Sequence, residues 1–110
     1  MSTNIARVDA LRSLGFASIS GTFTAVGTAF AHPMRIIRFI NTTDGDMIFS
    51  FDGTTNNLFV PSNSFVLFDI STNGEGEVFR ISARTQIYVK QSTAPTSGSV
   101  YVEAIYAQGE

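Results

Sequence analysis

Side chains along a β-strand alternate between its two faces, so a strand with one wet face reads apolar, polar, apolar. Three stretches of this chain break that pattern. In residues 34–40, Met34, Ile36 and Ile40 share one parity, and Ile37 and Phe39 take the other. In residues 64–70, Phe65 and Leu67 oppose Val66, Phe68 and Ile70. In residues 100–107, Val100, Val102 and Tyr106 oppose Tyr101 and Ile105. A small antiparallel domain has a single interior, and its outer faces normally meet water. Side chains on the second face therefore need other cover, and a neighbouring subunit supplies it.

The chain has the length of one domain, 110 residues, enough to bury roughly two-thirds of its unfolded surface. Ten Phe and three Tyr without Trp predict a core dominated by Phe. The lack of cysteine removes disulfides, thiol nucleophiles and thiolate metal sites. The first residues show neither the basic start nor the apolar run of a signal peptide. No stretch is long enough for a membrane helix, so a soluble chain is expected.

Charge is unevenly placed. Residues 1–40 hold Arg7, Arg12, Arg35 and Arg38 against Asp9, a balance of +3. Residues 41–110 hold Arg80, Arg84 and Lys90 against eight acids, a balance of −5. This asymmetry suits contacts between like subunits, and scattered solvated charge is the plainer alternative. There is no basic stripe of the kind a nucleic-acid surface needs.

Strand signals follow one another at the short spacing of an all-β fold: one antiparallel β-sandwich or jelly roll of about eight strands. Residues 17–25 alternate well, and 34–41 and 46–52 are set off by Asp44-Gly45, a dipeptide suited to a tight hairpin. Leu58-Phe59-Val60 stops at Pro61, which cannot donate to a ladder. Strands are also expected at 64–70, 78–83, 86–91 and 99–107, with residues 16–110 forming the sandwich domain. Residues 1–15 fit less well and form an N-terminal arm or a short helical turn from Asp9 to Gly15. Their apolar side chains need a surface, either on a neighbour or on their own domain.

Catalytic constellations are missing from the pattern. His32 is the sole histidine and has no partner at recognisable spacing. Asp44, Asp46 and Asp52 lack the alternating ligands and distal Glu of a calcium loop and suit turns instead. Gly74-Glu75-Gly76-Glu77 has the wrong charge to cradle a phosphate. A carbohydrate-binding sandwich is the competing class, but it relies on exposed aromatic platforms, and Tyr88, Tyr101 and Tyr106 all lie within strand patterns. No enzyme activity, cofactor, metal, nucleic acid or membrane is expected.

Several stretches together resemble a family. They are His32-Pro33-Met34-Arg35-Ile36-Ile37, Asn41-Thr42-Thr43-Asp44, Ser50-Phe51-Asp52-Gly53 and Pro61-Ser62-Asn63-Ser64-Phe65. Thr85-Gln86-Ile87-Tyr88-Val89-Lys90 and Gly98-Ser99-Val100-Tyr101-Val102 extend the likeness over nearly the whole chain. In pattern the chain is similar to small β-sandwich virion proteins of tailed bacteriophages. The resemblance implies a structural role in the virion after synthesis in the host cytoplasm, with copies of itself and other virion proteins as partners. The role expected is head decoration (cement), which suits a compact sandwich without a long insertion, with a neck or tail subunit (head-tail connector or tail adaptor) as the alternative. It carries over no site residues. From the residues themselves, Ile5, Val8, Leu11, Leu14, Ile37, Phe39, Phe68 and Tyr101 are the candidates for a contact between subunits.

Overall fold

A computed structural model describes residues 4–69 and 81–109. Its nine strands are β1 (Asn4–Val8), β2 (Arg12–Gly15), β3 (Thr24–Ala25), β4 (Ile36–Asn41), β5 (Met47–Ser50), β6 (Leu58–Val60), β7 (Ser64–Asp69), β8 (Tyr88–Gln91) and β9 (Ser99–Gly109). All pairings are antiparallel. One sheet runs β1-β9-β4-β7, with β2 beside β1 along the same edge of β9; the other runs β3-β8-β5-β6. The two sheets pack as a β-sandwich, the class that serial alternation predicts.

The core lies between the sheets. Ile37, Phe39, Val100, Val102 and Ala104 of the first sheet meet Met47, Phe49, Val60 and Val89 of the second, all at most 1% exposed. Phe39 sits at the centre, edge-on to Phe49, Phe51 and Phe68 at 5.2, 5.7 and 5.9 Å between ring centroids. Such edge-to-face pairs add about 0.5–1.5 kcal/mol to the burial of the rings.

Asp44-Gly45 does not close a hairpin. β4 and β5 lie in different sheets, so the connection is an arch from one layer to the other. A fully buried Asn41 holds it. Its Nδ2 donates to the carbonyl oxygens of Gly45, Val60 and Pro61 at 2.8, 3.0 and 3.2 Å. Its Oδ1 accepts from the Thr43 N–H and hydroxyl at 2.9 and 2.6 Å. Gly45 is required for room, since a Cβ there would stand 2.3 Å from the carbonyl oxygen of Thr93.

Two further expectations met a different outcome. Residues 17–25 alternate in sequence, yet only Thr24–Ala25 is strand and Phe16–Ser18 forms a 3₁₀ turn. Ser20 and Thr24 hydroxyls bond to the Thr22 carbonyl, and the Thr22 N–H bonds to Ser20, a local arrangement that competes with a ladder. The helical turn considered for Asp9 to Gly15 does not form; β1 and β2 are extended and pair with β9 of the same chain. Arg12 anchors β2: it is 8% exposed, ion-paired to Asp9 at 2.8 Å, bonded to the Thr28 carbonyl at 2.7 Å and stacked on Phe30. Of the strand expected at 78–83, residues 78–80 lie outside the described residues, and Ile81 makes a single bridge with Met34.

Candidate functional site

The outer face of the first sheet is built from three rows that the pairing register defines. One row crosses the strands as Asp69, Ile36, Ile105 and Val8. The next is Leu67, Arg38 and Glu103, and the third is Phe65, Ile40, Tyr101 and Ser13. The face is thus apolar, with one ion pair at its centre and Asp69 and Ser13 at opposite corners. Val8 is 78% exposed, Phe65 57% and Leu67 53%, while Ile36, Ile40, Tyr101 and Ile105 are half-buried by their neighbours. Arg38 and Glu103 meet at 2.6 Å, and the Arg38 guanidinium also lies over the Phe65 ring, 5.3 Å from its centroid. Between these side chains runs a shallow groove of about 350 Å³; a second, of about 240 Å³, adjoins it beside Val8 and Leu11.

Two-faced strands were expected to leave an uncovered apolar face, and the structure has one. Its membership differs from the residues singled out in sequence. Val8, Leu11 and Tyr101 do lie on this side. Ile37 and Phe39 do not: at 1% and 0% exposure they are core, because the parity of Ile36, Arg38 and Ile40 is the one turned outward. Phe68 and Leu14 are half-buried against that core, and Ile5 lies on the inward parity of β1, opposite Gln108. The signal that separates the faces is charge. Arg38 shares parity with Ile36 and Ile40, as Glu103 does with Tyr101 and Ile105, and an ionised side chain selects the wetter side.

The second sheet has a smaller counterpart, where Lys90, Ile48 and Phe59 lie in register and Lys90 stacks on Phe23. Phe59 is 54% exposed.

The polar residues weighed for chemistry are committed to loops. Asp52 accepts from the Thr54 and Thr55 N–H groups, the Thr55 hydroxyl and the Ser50 hydroxyl. These bonds, the Thr55 N–H first, hold its carboxyl well below the usual carboxylate range. Asp44 is lowered as well, chiefly by the Thr96 hydroxyl, and ties down the loop before β9. Asp46 receives the Ser62 N–H at 3.0 Å. His32 stacks flat on Tyr106, ring centroids 4.1 Å apart. Each of the three tyrosines is half-buried.

No family model matches the chain, and neither does any curated protein. Among solved structures, the chain is similar to the Dit protein of phage SPP1, described as a paradigm of the hub adsorption apparatus in phages that infect Gram-positive bacteria. The TM-score is 0.42 and the identity 13%, over 92% of this chain and 49% of the other, so the chain spans about half the length of that protein.

Proposed function

We propose that this chain is a non-enzymatic structural subunit of a tailed-phage particle, and that it assembles through the outer face of its first sheet. The observation that carries the reading is the exposure of Val8, Phe65 and Leu67 together on one continuous apolar face. Covering the wet half of each side chain would contribute about 1 kcal/mol, so a face of this composition favours a partner over water. The sequence resemblance to virion proteins supplies the setting, with copies of the chain and other virion proteins as partners. Head surface and neck or tail both suit a compact sandwich, and copy number separates them: hundreds for a head cement, six, twelve or a small multiple for the neck or tail.

Mass spectrometry of purified particles is the test. The chain is expected as a stoichiometric component of the mature virion, and Leu67→Glu is expected to leave it folded but missing from particles. Absence of the wild-type chain from the virion overturns the proposal. A reproducible glycan-array signal, abolished by substituting Tyr101, would favour the carbohydrate-binding reading instead.

A further inference from the structure

At the middle of the outer face one charge of each sign lies side by side, with Asp69 apart from them at a corner, and that central pair is selective about what can lie against it. We propose that the face packs on the same face of a second copy, about a twofold axis running parallel to the strands between β4 and β9. The inference rests on reading this face as an assembly contact and adds the partner and the geometry.

Two sheets stacked in the aligned arrangement by a twofold have that axis near the strand direction or near the perpendicular to it. With the axis across the strands, the middle row meets itself unreversed, and Arg38 faces Arg38 while Glu103 faces Glu103. Like charges would meet on an apolar surface, an arrangement that interfaces avoid. With the axis along the strands, each row meets itself reversed. Arg38 then faces Glu103 of the second copy, and the intrachain pair, 2.6 Å long, becomes one side of an alternating ring of four charges. The same operation sets Ile40 over Tyr101 and Ile36 over Ile105, apolar on apolar. At the rim, where interfaces are polar and partly wet, the reversed rows set Asp69 opposite Val8 and Ser13 opposite Phe65. A second copy supplies both complementary charges by this one operation.

The face is small. Four strands about 4.8 Å apart and three rows about 7 Å apart make a patch under about 20 Å across, less than the roughly 800 Å² per partner of a standard interface. Association is therefore expected to be weak in solution and to need protein concentrations up to about 1 mM.

The experiment is sedimentation equilibrium of the full chain across that range, with circular dichroism on each variant. Wild type is expected to move from 11.9 kDa toward twice that mass. Arg38→Glu and Glu103→Arg, each alone, should weaken self-association at least about tenfold, since each puts like charges face to face. An equimolar mixture of the two should return to within about threefold of wild type. The double swap in one chain should do the same, and because it carries both substitutions, its recovery excludes misfolding as the cause of the single losses. A wild type that stays monomeric to about 1 mM, single variants that associate as wild type does, or a mixture and a double swap that both fail to recover would each overturn the twofold. A monomeric wild type whose Leu67→Glu variant is lost from particles overturns the twofold and leaves the virion reading standing. A dimer that behaves as described but is absent from particles does the reverse.

Discussion

Asn41 is the polar residue on which the join between the two sheets turns, and Asn41→Ala is the sharpest test of that account. The side chain is fully buried. Its removal strips the Thr43 N–H of a 2.9 Å acceptor and the Val60 carbonyl of a 3.0 Å donor. Gly45 keeps the Thr43 hydroxyl as a donor at 2.8 Å, and Pro61 is exposed enough for water to replace its bond. The Thr43 N–H left unsatisfied, at about 1–3 kcal/mol, and about 1 kcal/mol for the bond lost at the Val60 carbonyl, which keeps its ladder place opposite Met47, put the loss near 2–4 kcal/mol. A domain of this size unfolds with an entropy near 0.23 kcal/mol/K, so the melting temperature should fall by about 10–15 °C. Thermal circular dichroism and a urea titration with unchanged slope would read both numbers. Asn41→Asp should be worse near neutral pH, because a carboxylate offers no donor to the three carbonyls that Nδ2 serves. If Asn41→Ala lowered the melting temperature by less than about 3 °C, the arch would be held by something else and the reasoning would fail.

Phe65→Ser with Leu67→Ser, both exposed, should change stability by under about 1 kcal/mol while abolishing association, whereas Phe39→Ser should cost about 3–5 kcal/mol. Equal losses of stability from the two changes, measured by urea midpoint, would contradict the assignment of faces. Gly98→Ala should cost about 2 kcal/mol or more, because φ there is +90° and a Cβ would stand 2.3 Å from the Thr42 carbonyl oxygen. Gly21→Ala, with nothing within 4 Å, should be neutral, and a matching loss at both sites would refute the packing argument. Asp44 and Asp52 have carboxyls held below the ordinary value of 3.8, so their contribution to stability is complete above that pH and is lost as pH falls through the lowered folded values. Stability should therefore drop below about pH 4, with a shallower drop in Asp52→Asn; an unchanged slope in that variant would count against the Asp52 network.

Strand positions were legible because alternation and turn residues are local: Leu58–Val60 ends at Pro61 as read, and β4, β7 and β9 fall within a residue or two of their expected spans, as far as the described residues reach. Which face of β4 points inward was not legible from hydrophobicity, since Ile36 and Ile40 are as apolar as Ile37 and Phe39. The inner parity even ends on a polar residue, Asn41, whose burial depends on carbonyls about 20 residues further along. Asp44-Gly45 misled for the same reason. A dipeptide reports its own backbone preference, whereas hairpin or arch depends on which sheet receives β5. Residues 17–25 have strand-like parity, but their hydroxyls find nearer backbone partners.

β9 has a consequence for how quickly the molecule can form. It lies between β4 and the two N-terminal strands, and its register joins Asn4 to Gly109 and Val8 to Ile105. Bringing together segments about a hundred residues apart costs about 4 kcal/mol in chain entropy before any ladder bond repays it. β4 and β7 are much closer in sequence, so within this sheet their pairing has the lowest entropic cost, and it leaves the β9 side of β4 open. β9 then docks on β4, and β1 and β2 can add only after it. A topology so dominated by distant pairings predicts folding in milliseconds to seconds rather than microseconds. Until β9 docks, one edge of β4 and the apolar surface beside it stay open, and this is the interval in which the chain is most exposed to aggregation.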